Sequence, residues 1–167
     1  MAVISDSRTH APGHATPMDT DPILICYDGS RNAERAVEVA ARLLGGRRAV
    51  VLDVGPLQEI AIEYPPSGSE IAALDRISLD DAAARARAGA KLAQDSGLKA
   101  SSRAQLEAPT WRGVDEVAEE IGAAVIVLGS RGLSGIREFV DGSLSHQLAT
   151  HAGRPLLVVP PQQPKPS

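Results

Sequence analysis

The chain has 167 residues, 43% of them hydrophobic and 23% charged, with a formal charge of −4, which suits a single mildly acidic domain able to bury a core. That balance carries no basic nucleic-acid footprint, and four aromatic residues, Tyr27, Tyr64, Trp111 and Phe139, make no base-stacking platform. A lone Cys26 excludes an internal disulfide and a cysteine-based metal site; with no apolar run near the ~18 residues of a membrane span, a cytoplasmic protein without a membrane partner is expected.

Residues 1–20 mix Ser, Thr, His, Pro and Gly without periodicity and read as a flexible tail. They lack the apolar centre of a signal peptide. His10 and His14 are four apart, but Pro12 and Gly13 between them oppose the helix that would align them as metal ligands. The folded domain is expected over residues 21–161, with a short tail at 162–167.

Residues 22–27, Pro-Ile-Leu-Ile-Cys-Tyr, read as the first strand, with Asp28-Gly29-Ser30 at its carboxyl end. Cys26 falls inside that apolar run and reads as a small core hydrophobe rather than a reactive thiol. Asp28 suits turn and cap chemistry, and equally a carboxylate aimed at ribose hydroxyls or at a metal on phosphates. Residues 32–44 place Ala36, Val37, Val39, Ala40, Leu43 and Leu44 on a helical stripe stopped by Gly45-Gly46.

Residues 49–54, Ala-Val-Val-Leu-Asp-Val, form the second strand. The pattern then breaks over residues 57–77 around Pro65-Pro66-Ser67-Gly68, a stretch that reads as a functional lid, a partly helical loop or disorder. An Ala-rich helix is expected over 79–96, an edge strand over 101–107, and a helix over 111–121. On that last helix Trp111, Val114, Val117, Ala118 and Ile121 share a stripe, with Trp111 as an anchor.

The run Ala124-Val-Ile-Val-Leu128 is a strand buried on both faces, closed by Gly129-Ser130-Arg131-Gly132. Glycines at a strand's carboxyl end let backbone N–H groups approach an anion. Gly142-Ser143 then opens a helix over 144–150, Ser being a strong N-cap and a helix N-terminus an anion site. His146 lies in its first turn, in reach of a phosphate, and His151 near its end complements the helix dipole. Residues 155–160, Pro-Leu-Leu-Val-Val-Pro, are the fifth strand. Strands alternating with helices make a right-handed, doubly wound α/β sheet.

The spacing Gly129, two residues, Gly132, nine residues, Gly142-Ser143 resembles the nucleotide-binding signature of the ATP-binding branch of the universal stress protein family. It is neither a P-loop nor a dinucleotide turn. The resemblance spans about residues 20–161 and implies a five-stranded parallel sheet in the order 3-2-1-4-5. It also implies that backbone at Asp53 and Val54 meets the adenine edge and that Asp28 meets ribose or metal. Gly129, Gly132, Gly142, Ser143 and the Leu144 amide would wrap ribose and phosphates, with Arg131 as an added cation. ATP with Mg or Mn is the implied ligand, and a homodimer through the last strand the implied assembly. Arg137, Glu138 and Asp141 depart from the pattern by making the segment before Gly142 polar.

The expected function is that of a stress-response regulator whose nucleotide state sets conformation or partner choice. The alternatives are a slow ATP hydrolase or phosphotransferase, and a sensor of AMP or cyclic AMP on the same fold. Hydrolysis needs a group that positions water and a held metal. Asp28, Asp141 and His146 are the candidates, and they form no recognisable pair, so binding is favoured over catalysis.

Overall fold

A computed structural model describes residues 21–55, 68–130 and 143–162. Its strands are β1 (Ile23–Cys26), β2 (Arg48–Gly55), β3 (Lys99–Leu106), β4 (Val125–Gly129) and β5 (Leu156–Val159), separated by helices α1 (Arg31–Leu44), α2 (Gly68–Asp95), α3 (Thr110–Glu120) and α4 (Leu144–His151). All neighbouring strands pair in parallel in the order β3-β2-β1-β4-β5. The doubly wound sheet expected from the alternation, and the strand order implied by the resemblance, are both present.

Alternating side chains along the strands feed two separate cores. Ile23, Ile25, Val51 and Val127 face α1 and α2, while Leu24, Leu52, Ile126 and Leu128 face α3 and α4. This is the period-two rule applied to strands covered on both sides, which is why they read as continuous apolar runs. Helix α1 buries Ala33, Ala36, Val37, Ala40 and Ala41, a stripe at the helical period. Its start is fixed by Ser30, whose hydroxyl accepts from the Ala33 N–H at 3.2 Å, and its charges suit the dipole, with Glu34 in the first turn and Arg42 in the last.

Helix α2 starts earlier than the expected residue 79. Its 28 residues span about 42 Å, and it begins at Gly68, inside the stretch 57–77 for which a partly helical loop is one reading. Residues 56–67 lie outside the described part of the chain. The cause is legible after the fact: Ser69-Glu-Ile-Ala-Ala-Leu-Asp-Arg-Ile77 is made of helix-forming residues, yet Ile71, Leu74 and Ile77 are exposed. Their three-residue spacing makes an apolar helical stripe that faces no core among the described residues. The buried face of α2 starts only at Ala82 and continues through Ala86, Gly89, Ala90 and Ala93. These small residues let the helix lie close to the sheet. A Cβ added at Gly89 would sit 2.7 Å from the Tyr27 ring.

Trp111 anchors α3 to α4. Its ring stacks on His151 with centroids 4.7 Å apart, so the histidine expected as a dipole partner in the last turn of α4 also packs against an aromatic face. Strand β3 lies at the edge opposite β5, in agreement with its weak alternation.

Candidate functional site

In the order β3-β2-β1-β4-β5 the connections out of β1 and β4 run to opposite sides, which opens a crevice at their carboxyl ends. A pocket with about 370 Å³ of empty space, counting what is open to solvent, lies there on the α3/α4 side of the sheet. Cys26, Leu52, Val54 and Leu128 supply its apolar floor, Thr110 and Val114 of α3 one wall, and Leu144 the start of α4. Asp28 and Gly129 complete the rim at the two strand ends. An apolar cavity with a few polar groups at one end is what a flat heteroaromatic ligand with a charged tail requires.

Asp28, Val54, Gly129 and Leu144, four of the eight residues singled out in the sequence, thus line one pocket. Ser143 adjoins it as the N-cap of α4, its hydroxyl accepting from the His146 N–H at 3.3 Å. Arg131, Gly132 and Gly142 lie outside the described residues, as do Arg137, Glu138 and Asp141. His146 is exposed and does not line the pocket.

The glycine at 129 has a demand within the chain itself. A Cβ there would sit 2.8 Å from the Asn32 carbonyl oxygen, so β4 ends against the first turn of α1 at a distance only glycine allows. The β1–α1 turn is equally tight: Gly29 has φ +78, and Asp28 Oδ1 accepts from the Ser30 N–H at 2.9 Å. This side-chain turn holds Asp28 at the rim.

Backbone direction separates Asp53 from Val54. The Leu52 carbonyl accepts from the Tyr27 N–H at 2.8 Å, toward β1, and the Gly55 carbonyl accepts from the Glu107 N–H at 3.2 Å, toward the β3 side. Successive residues of a strand in a sheet direct their backbone groups to alternate neighbours. Val54 therefore turns its N–H and C=O toward the β1 side, beyond the point where β1 has ended at Cys26. The backbone of Asp53 turns to β3.

The Asp53 side chain is a functional group that sequence reasoning passed over. It points to the α1/α2 side, is 1% exposed, and is the buried charged residue among those described. Arg85 of α2 donates from Nε to its Oδ2 at 2.5 Å. Burial pushes the Asp53 carboxyl up from its ordinary range; the Arg85 hydrogen bond and charge oppose this, and the Asp28 charge adds to it. One carboxylate inside Val-Val-Leu-Asp-Val was the available signal, since such a charge requires a partner. Which cation supplies it was not readable. Burial likewise pushes the Cys26 thiol up to about 12, helped by the Asp28 and Asp53 charges, so at neutral pH Cys26 is a protonated wall of the pocket and not a nucleophile.

Among the described residues no cluster of three or more His, Cys, Asp or Glu is placed to hold a metal ion, and no helix is long and apolar enough to cross a membrane. A model of the universal stress protein family matches residues 20–160. The chain belongs to the universal stress protein family. A universal stress protein of Bacillus subtilis, YxiE, is 29% identical over 147 residues, covering 82% of this chain and 97% of the relative. Among solved structures, hypothetical protein MJ0577 superposes with a TM-score of 0.71 at 23% identity, over 86% of this chain and 98% of that one. A universal stress protein in complex with cyclic AMP superposes at 0.62 with 21% identity, over 83% and 96% of the two chains. At these identities the structural likeness establishes the shared fold of this universal stress protein.

Proposed function

We propose that this universal stress protein binds an adenine nucleotide at the carboxyl ends of β1 and β4, and that ATP with Mg or Mn is the ligand that sets its conformation or partner choice. The single observation that carries the reading is the apolar pocket into which Val54 presents an amide and a carbonyl side by side. Such a donor and acceptor pair matches the N1 and N6 edge of adenine and mismatches guanine, while Leu52, Leu128 and Val114 enclose the ring. A universal stress protein sharing the fold forms a complex with cyclic AMP, which supports an adenine nucleotide as the kind of ligand.

The chain's own residues fit such a ligand. Asp28 at the rim accepts hydrogen bonds from ribose hydroxyls, and the capped start of α4 at Ser143 and Leu144 favours phosphate. Gly129, Arg131, Gly132 and Gly142 complete the phosphate cradle in this reading. Phosphate oxygens would hold the cation, and Asp28 at the rim is a carboxylate that could add to them. Calorimetric titration with ATP and magnesium, AMP, cyclic AMP and GTP tests the proposal: adenine nucleotides bind and GTP does not. Gly132→Val abolishes ATP binding in a folded protein, because a branched side chain blocks backbone approach to phosphate. A wild type that binds none of these ligands overturns the reading.

The protein acts as a homodimer in this reading. Strand β5 is an apolar edge strand flanked by Pro155 and Pro160, and Val158 is exposed on it. Pairing with a second copy covers such an edge about a two-fold axis. A monomer mass by light scattering at high micromolar concentration would exclude the dimer.

A further inference from the structure

Behind the pocket, on the opposite face of the sheet, the Arg85 guanidinium pairs with Asp53 near the end of β2, and its stem lies against the turn that carries Asp28 after β1. Arg85 donates to Asp53 Oδ2, and its aliphatic stem lies under the β1–α1 turn, with Cδ 3.5 Å from where a Cβ on Gly29 would be. Its charge interacts with Asp28 and Asp81 as well as Asp53. Asp53 has a fully buried side chain, whereas that of Arg85 is 41% exposed. Asp53 Oδ1 is buried with no hydrogen-bond partner among the described residues. The pair is thus the link by which α2 holds two loops of the opposite face.

We infer that Arg85 is a positioning residue of the nucleotide site: it fixes the carboxyl end of β2, and with it the Val54 backbone edge, while supporting the Gly29 turn that carries Asp28. The inference rests on the nucleotide reading above and deepens it. Arg85 itself touches no ligand, because its side chain lies on the α1/α2 side while the pocket opens on the other. Its effect is electrostatic and geometric. With Arg85 the β1 and β2 ends carry two carboxylates and one cation; without it a buried, uncompensated charge remains at Asp53, which a folded protein relieves by taking up a proton or by moving the strand end toward water. Moving the strand end displaces Val54, and the loss of the stem frees the Gly29 turn.

Three variants test this in the full chain: Arg85→Met, Asp53→Asn, and the two together. Adenosine and ATP with magnesium are titrated into each at pH 7.5 and pH 5.5, and amide exchange is followed in the ligand-free proteins. Arg85→Met is expected to weaken adenosine and ATP alike by about tenfold at pH 7.5. The deficit relative to wild type shrinks at pH 5.5, because the Asp53 carboxyl, pushed up by burial, takes up a proton more readily once deprived of its cation. Using adenosine removes the titration of phosphate, and Cys26, Asp28 and Asp81 are common to all variants. The double variant binds more tightly than Arg85→Met at pH 7.5, because it deletes the stranded charge, a rescue that lost packing cannot give.

Exchange rises in Arg85→Met at the Tyr27 and Glu107 amides, which donate to the Leu52 and Gly55 carbonyls at the end of β2, and not in β4. A pH-independent loss, no rescue in the double variant, or exchange unchanged at both amides overturns the positioning role. If Arg85→Met does not fold, the double variant and Asp53→Asn decide: Asp53→Asn keeps an acceptor for Arg85 and stays within about threefold of wild type, and a larger loss there shared by the double variant also overturns it. Failure of the wild type to bind any adenine ligand sinks the site reading alone, since the exchange measurement still judges whether Arg85 holds the two loops.

Discussion

The two faces of the sheet use the same strands and reach opposite outcomes. On the α1/α2 side the contacts are closed by small residues of a 28-residue helix: Gly89 lies against Tyr27 and Val51, Ala90 packs in the same cluster, and Ala82 lies against Gly55. On the α3/α4 side α3 has 11 residues and α4 has 8, and at the level where α2 seals the sheet these helices are only beginning. Their amino ends at Thr110 and Leu144 therefore stand around a cavity. A parallel sheet with unequal helical layers is rigid on one side and open on the other, and the closed face supports the geometry that the open face uses.

The comparison breaks most visibly at Gly89. A side chain there meets the Tyr27 ring and Val51 Cγ1 at under 3 Å, so Gly89→Val should lower unfolding free energy by about 3 kcal/mol, measured by urea denaturation. A change below about 1 kcal/mol would mean the closed face is looser than described. The matching substitution on the open face is Cys26→Phe, whose ring grows into the pocket. Stability should fall by about 1–3 kcal/mol, while adenine nucleotide affinity should fall by a hundredfold or more, roughly 2.7 kcal/mol. Unaltered affinity in that folded variant would place the ligand elsewhere.

Gly129→Ala probes the seam between the faces. The new methyl lies 2.8 Å from backbone at Asn32, so either the end of β4 or the first turn of α1 must move; a stability loss of about 2 kcal/mol is expected, together with weaker nucleotide binding. Ser143→Ala should cost about 1 kcal/mol through the lost cap and reduce ATP affinity severalfold. Thermal unfolding with and without ATP separates the two effects. An equal shift in both conditions would reduce Ser143 to a cap.

The smallest effect expected is on hydrolysis. A cradle of backbone amides binds ground-state phosphate, and acceleration needs interactions that strengthen only in the transition state. His146 is exposed away from the pocket, and Asp28 is engaged in its own turn. Single-turnover hydrolysis of bound ATP should run far below ~10 s⁻¹ and change little in His146→Ala or Asp28→Asn. Reaction within seconds in the wild type, lost in a variant that still binds ATP, would make that residue catalytic.

What the sequence determined by itself was whatever depends on near neighbours along the chain. Apolar runs ending in Asp28-Gly29-Ser30 and in Gly129-Ser130 mark strands and their carboxyl ends, and Ser30 and Ser143 mark helix starts, because periodicity and capping act over a few residues. The cradle spacing was legible for the same reason, and its described residues Gly129 and Ser143 stand at the end of β4 and the start of α4. Tertiary structure alone decided what depends on register between distant segments. Asp53 and Arg85 are 32 residues apart, and their pairing follows from where α2 lies across β2. That Val54 rather than Asp53 turns its backbone into the crevice depends on β1 ending at Cys26 while β2 runs on to Gly55. The first turns of α2 stayed undecided because Pro65-Pro66-Ser67-Gly68 interrupts the pattern just before them, and Thr110 and Val114 became pocket walls only because the start of α3 stands beside the ends of β1 and β2. Each is a fact of relative length and placement, which a linear pattern of side chains does not carry.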